Sequence, residues 1–209
     1  IAGDGCLMEG VSHEAASLAG TLGLSKLICL YDDNGISIDG EVAEWFSEDV
    51  PARFEAYGWR VIRNVDGHDA EEISKALTTA TQTDGRPTLV CCKTVIGFGS
   101  PNKRGTAGVH GAALGQEEIA LTKSELGWTA PEWEIPGDIA AAWDQREAGA
   151  EAQQAWEAQM QAYSAANPAE ATEFGRRMSG ELPANWQEEI DAFAEAQQAN
   201  PVDLETRKS

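Results

Sequence analysis

Two short strings near the start of the chain carry the residue types that hold a metal ion and a phosphate. Gly3-Asp4-Gly5 sets a carboxylate between two glycines, and Asn34-Gly35 sets a carboxamide just after an apolar run ending in Tyr31. Asp and Asn offer hard oxygens of the kind Mg²⁺ or Ca²⁺ accepts. Glycines let backbone approach a ligand closely, and N–H groups at a following helix terminus favour phosphate. Two oxygen ligands are too few for an all-protein cage. Mg²⁺ fills its remaining positions with water and substrate phosphates, so the pair points to a bound diphosphate. Either string alone is an ordinary turn. Specificity comes from both together, with 29 residues between Asp4 and Asn34, enough for one helix and one strand.

Other strings do not support a site. His13-Glu14-Ala-Ala-Ser17 begins like the zinc motif H-E-x-x-H but lacks the second His. Asp32-Asp33-Asn34-Gly35 begins like a calcium-binding EF-hand loop, but Ser37 and Ala43 stand where that loop needs Gly and Glu. The cysteines Cys6, Cys29, Cys91 and Cys92 form no C-x-x-C pair, and Cys91-Cys92 lies in an apolar run that reads as core. Reduced thiols in a cytoplasmic protein are the expectation.

The elements around these strings alternate. A helix is expected from Val11 to Leu22, a strand over Lys26–Tyr31, a helix over Glu48–Tyr57 and a strand over Arg60–Val65. A helix over Asp69–Thr81, capped by Asp69, then precedes a strand over Thr88–Val95. A glycine-rich segment from Gly97 to Gly115 leads to a last helix over Glu117–Leu126. Nearly continuous apolar strands between helices imply α/β architecture: a partial parallel sheet flanked by helices. Ligands of such sheets bind beyond the carboxyl ends of the strands, so the loops after Ala2, Tyr31 and Val95 are the places to look. Composition shifts near Trp128, where glycine gives way to Ala, Gln and Glu. Helices are expected there over Asp138–Ala165, Ala169–Met178 and Trp186–Ala199. The division is a diphosphate-binding part, residues 1–128, and a helical connector, residues 129–209.

The strings Gly3 to Glu14 and Tyr31-Asp-Asp-Asn-Gly-Ile-Ser-Ile-Asp-Gly40 resemble those of transketolases, enzymes that use thiamine diphosphate. So do Arg53-Phe-Glu-Ala-Tyr-Gly-Trp59, Asp66-Gly-His-Asp69, Lys93 to Lys103 and Leu121 to Trp128. The resemblance implies the thiamine diphosphate-binding fold and transfer of a two-carbon ketol unit from a ketose phosphate to an aldose phosphate, in the pentose phosphate pathway. It makes Asp4 and Asn34 side-chain ligands of Mg²⁺ (or Ca²⁺) and Ile36 a ligand through its carbonyl. Gly5 becomes a backbone contact to the cofactor diphosphate, and Ile38 and Ile96 neighbours of the cofactor. His110 becomes a catalytic and cofactor-binding residue reaching both diphosphate and sugar. An imidazole there can donate to phosphate or to a substrate hydroxyl and move protons near neutrality. Glu9 and Glu14, read as sharing one helix, resemble acidic residues of the family's homodimer interface. Two positions depart from the pattern: Ala107 stands where many members have a second His, and Ala113 where Pro is common. Loss of that imidazole should trim affinity rather than abolish chemistry.

Length and charge set the remaining bounds. The 209 residues carry a formal net charge of −20, which argues against electrostatic binding to nucleic acid or an anionic membrane. No apolar run approaches the ~20 residues of a membrane span. The chain has no initiator Met and opens almost at once on Gly3-Asp4-Gly5, a turn with no strand leading into it. It therefore reads as an internal piece of a longer enzyme, inactive alone because the family's activating Glu lies in a pyrimidine-binding domain absent here. Dihydroxyacetone synthase, deoxyxylulose phosphate synthase and a non-catalytic cofactor-binding subunit of a split assembly stand as alternatives. The Tyr31–Gly40 string favours transketolase over the other two enzymes.

Overall fold

The computed structural model describes residues 1–82, 84–199 and 201. The chain divides into two compact units, Ile1–Glu132 and Trp133–Ser209, a few residues beyond the compositional shift at Trp128.

The first unit is built on a four-stranded parallel sheet. Its strands are β1 (Ala2–Gly3), β2 (Ile28–Asp33), β5 (Arg60–Asp66) and β6 (Thr88–Lys93), in the order β1-β2-β6-β5. Five of the six residues of β6 are buried, as expected of a central strand covered on both faces. Side chains alternate across a strand, so β6 feeds two cores. Leu89 and Cys91 join Leu7, Ala16, Ala19, Tyr31, Phe54 and Trp59 on one face. Val90 and Cys92 join Val65, Ala76 and Ala80 on the other. Helices α1 (Asp4–Met8), α2 (Gly10–Thr21) and α3 (Val50–Ala56) supply the first layer, and α4 (Ala70–Thr81) the second. Between β2 and α3 a small hairpin pairs β3 (Ile36–Ser37) with β4 (Gly40–Glu41). Helix α5 (Gln116–Glu125) follows the glycine-rich loop.

Specific bonds place the layers. The Trp59 indole N–H donates to the Ala16 carbonyl at 2.8 Å, tying α2 to the start of β5. Gly20 lies so close to α3's end that a Cβ there would stand 1.8 Å from the Tyr57 carbonyl oxygen. Arg53 donates to the Leu7 carbonyl at 3.0 Å and pairs with Glu48 at 2.9 Å, which anchors the end of α1. Asp69 caps α4 by accepting from the Glu71 and Glu72 amides, as its sequence position implied. Arg60 reaches the other end of α4 and donates to the carbonyls of Thr79, Ala80 and Gln82.

Several boundaries differ from expectation, each for a local reason. Gly3-Asp4-Gly5 is not a free-standing turn: Ala2 and Gly3 pair with Tyr31 and Asp32, and Asp4 opens α1. β2 starts and ends two residues late, because its pairing with β6 continues through Asp33↔Lys93. Helix α3 starts at Val50, where the Asp49 side chain accepts from the Ala52 amide and Pro51 fits the first turn.

In the second unit the helix expected over Asp138–Ala165 is two helices, α6 (Gly137–Trp143) and α7 (Arg146–Ala166). Asp144 breaks it by turning extended and accepting the Arg146 amide on its own carboxylate at 3.1 Å. Helices α8 (Pro168–Ser179) and α9 (Trp186–Ala199) complete the unit, and α7 packs on α8. None of its described side chains is fully buried. No described helix is long and apolar enough to cross a membrane.

Candidate functional site

Strand register brings the candidate residues to one edge. Gly3 pairs with Asp32, Asp32 with Cys92, and Lys93 with both Asp33 and Asp66. Four strands thus end together, and Asp4, Asn34, Thr94 and Gly67 each follow one of them. Thr94 cross-links two ends: its hydroxyl donates to the Asp32 carboxylate and its amide to the Asp33 carbonyl at 3.3 Å.

Asp4 is only 3% exposed. The Tyr31 hydroxyl donates to its Oδ1 at 2.5 Å, and the Gly35 amide to its Oδ2 at 2.9 Å. No ion pair to Asp4 forms among the described residues. Burial, and then the bond to Asp4, push the Tyr31 phenol well above its ordinary value, so Tyr31 stays a donor. The Gly35 bond places Asn34 beside Asp4. Asn34 Oδ1 accepts from the Ile36 amide at 2.9 Å, closing an Asx turn at the head of the hairpin. The structure thus brings Asp4, Asn34 and Ile36 together, with Gly5 one residue along in α1. A cavity of about 320 Å³ lies beside them, lined by Asn34, Ile36, Val42, Thr94, Val95 and Gly105 among others. A second, of about 310 Å³, is lined by Asp4, Tyr31, Asp33, Arg63 and Lys93 among others.

The residues fit a metal and a diphosphate on two counts. A buried carboxylate held by two neutral donors, with no ion pair among the described residues, keeps spare lone pairs that a divalent cation can take up. The glycines give the second. Gly35 needs its positive φ of 71°, but Gly3 is extended and Gly5 helical, and a Cβ on either would meet nothing within 4 Å. Neither conformation nor internal packing requires those two to be glycine, which leaves room for a ligand against the backbone.

His110 sits on a different element. It follows a short 3₁₀ turn, Ala107–Val109, donates its amide to the Ala107 carbonyl at 2.9 Å, and is exposed. Its loop reaches the cavity through Gly105, whose amide donates to Ile96 at 2.8 Å. The loop is held by Glu118 on α5, only 7% exposed, which accepts from the Ser100 hydroxyl and from both the amide and side chain of Asn102. Those bonds, Ser100's first, hold the Glu118 carboxyl below the usual range. Lys103 donates to the Leu114 carbonyl at 2.7 Å and closes the loop.

Other expectations fare differently. Glu9 and Glu14 do not share a helix: Glu9 is the extended residue that separates α1 from α2, and Glu14 lies within α2. Both are exposed. Ile38 is 71% exposed at the hairpin turn, and Ile96 is half-buried. Sequence reasoning missed Tyr31, His68 and Glu118. His68 lay inside a quoted string without a role, and nothing local marks Tyr31 or Glu118 as partners of residues elsewhere.

A parallel sheet with oxygen donors and open glycines at its carboxyl edge defines a class, the cofactor-binding α/β domains. Within it, the chain belongs to the transketolase, thiamine diphosphate binding domain family, whose profile matches residues 1–183. It is 59% identical over 207 residues to transketolase 1 of Aliivibrio fischeri and 60% identical to transketolase 1 of Vibrio vulnificus. Each alignment covers 99% of this chain and 31% of the relative, so the chain spans about a third of the length of the curated relatives it matches. Among solved structures, transketolase from Leishmania mexicana superposes with a TM-score of 0.81 at 44% identity, covering 88% of this chain and 28% of that one. Transketolase from Pichia stipitis, solved with sedoheptulose-7-phosphate, gives 0.79 at 42% identity over 89% of this chain and 28% of that one.

Proposed function

We propose that this chain anchors the metal and diphosphate end of thiamine diphosphate in a transketolase. That enzyme would move a two-carbon ketol unit from a ketose phosphate to an aldose phosphate. The observation that carries the reading is Asp4, a buried carboxylate with no cationic partner among the described residues, set against Asn34 and Ile36 at adjoining strand ends. Asp4 and Asn34 would hold Mg²⁺, or Ca²⁺, through side-chain oxygens, with Ile36 adding its carbonyl. Gly5 would let the diphosphate lie against backbone. Bound thiamine diphosphate supplies the carbanion-stabilising chemistry. His110, exposed on its loop, would donate to the diphosphate and to a sugar hydroxyl and exchange a proton there. A homodimer engaging Glu9 and Glu14 is part of the reading. It is supported by the exposed Val11, Leu18 and Leu22 of the α2 region, which follow helical spacing. A reducing cytoplasm suits four free thiols.

The test is calorimetric titration with thiamine diphosphate, with and without Mg²⁺, on the parent, Asp4→Ala and Asn34→Ala. Both substitutions should weaken Mg²⁺-dependent binding by about tenfold or more, the loss expected of a charged ligand bond. Binding that is undiminished in Asp4→Ala would sink the metal assignment.

A further inference from the structure

The turn after β5 is pressed onto the end of β6. The Gly67 amide donates to the Lys93 carbonyl at 2.8 Å, and a Cβ on Gly67 would stand 2.3 Å from the Thr94 methyl carbon. This approach carries the His68 ring over the segment that leaves β6. The Val95 amide donates to His68 Nε2 at 2.8 Å, and the ring stacks on Phe98 with centroids 3.8 Å apart and planes 14° from parallel. A backbone N–H can only donate, so Nε2 must be the bare nitrogen and the single ring proton must sit on Nδ1.

What the imidazole holds is an entry point to the site. Val95 lines the cavity beside Asn34 and Ile36. The Phe98 amide donates back to the Val95 carbonyl at 3.1 Å, and the next residue, Ile96, accepts from Gly105. Movement of Val95 is therefore passed to the loop bearing His110. Packing alone does not account for His68: it is exposed, Phe98 is half-exposed, and any aromatic ring would stack as well. The acceptor nitrogen is the feature another ring would lack.

We propose that His68 is a positioning residue of the cofactor site: neutral and protonated on Nδ1, it holds the Val95 amide and fixes the start of the His110 loop. The role rests on Asn34 and Ile36 being cofactor anchors. A second ring proton would face N–H with N–H and release the bond. The charged groups around the ring are Asp66, Asp69, Glu72 and Lys93. Asp66 accepts His68's own amide at 2.9 Å, Asp69 caps α4, Glu72 accepts the Asp66 amide, and Lys93 pairs with Asp33. Among the described residues none of them bonds the imidazole.

Nitrogen NMR of the labelled 209-residue chain reads the tautomer, and amide exchange reads the Val95 bond. His68→Phe keeps a ring on Phe98 but removes the acceptor. His68→Gln removes the ring but keeps an acceptor near the Nε2 position. The parent should show the Nδ1–H tautomer. Val95 protection should fall about threefold to tenfold in His68→Phe, the range of one hydrogen bond, and recover in His68→Gln. Mg²⁺-dependent thiamine diphosphate binding, by calorimetry, should weaken in His68→Phe by a similar factor. An Nε2–H tautomer, or equal Val95 protection in parent and His68→Phe, would overturn the bond. Lost protection with unchanged cofactor affinity would overturn its link to the site. Unchanged Mg²⁺-dependent cofactor affinity in Asn34→Ala, with the Val95 bond present, would overturn the Asn34 and Ile36 assignment instead.

Discussion

Asp4 keeps its position through two neutral donors, the Tyr31 hydroxyl and the Gly35 amide, and at 3% exposure it has little water to fall back on. Removing the hydroxyl should therefore cost more than an average surface bond. Tyr31→Phe leaves Oδ1 short of a donor and should destabilise the first unit by about 1–3 kcal/mol, read as a lower midpoint in chemical denaturation. Saturating Mg²⁺ with thiamine diphosphate should restore part of that loss, because ligand that binds only the folded state stabilises it. An unchanged midpoint would show that Asp4 does not depend on Tyr31. Residue type and spacing made Asp4 and Asn34 legible in the sequence, since both sit at ends of their own elements. Tyr31, His68 and Glu118 act on partners 27, 27 and 18 residues away, and no local pattern records such a pairing.

Elements were legible wherever one face had to be buried. The apolar run of β6 and the Asp69 cap of α4 needed no tertiary information. Boundaries set by pairing did need it: β2 runs on to Asp33 because β6 offers Lys93 opposite, and this extension delivers Asn34 to Asp4. The break at Asp144 was hidden because Asp within an Ala-rich stretch reads as helix surface until its carboxylate turns back on the Arg146 amide. In α8, Glu173 accepts from Arg176 and Arg177, which draw its carboxyl down to about 2. A carboxyl lowered by folding contributes stability that is present above its ordinary value of 4.5 and is lost as pH falls through about 2. Carbon NMR should find the Glu173 carboxyl still ionised well below the ordinary value of 4.5. Fraying of α8 should set in only as Glu173 protonates. Titration of Glu173 near 4.5 would show the cluster to be absent in solution.

The whole chain joins a unit with two cores to a unit in which no described side chain is fully buried. Glycine-rich turns and apolar strands belong to sheets and Ala, Gln and Glu to exposed helices, and the two units divide after Glu132. The family match, however, runs to residue 183 and takes in α6, α7 and α8, so composition marks the change of architecture but not the extent of the family. Trp59, pinned to Ala16 in the first core, bears on how the molecule can be watched. It is 4% exposed, while Trp45, Trp128, Trp133, Trp143, Trp156 and Trp186 range from 40% to 99%. Most of the protein's ultraviolet emission should thus resemble that of indole in water even when the chain is folded. Denaturation should shift the emission maximum little, and Trp59→Phe should remove most of the shift that remains. A spectrum that stayed strongly blue-shifted in Trp59→Phe would mean that other indoles are shielded in solution. Unfolding followed by the shift in tryptophan emission therefore hangs on one indole out of seven.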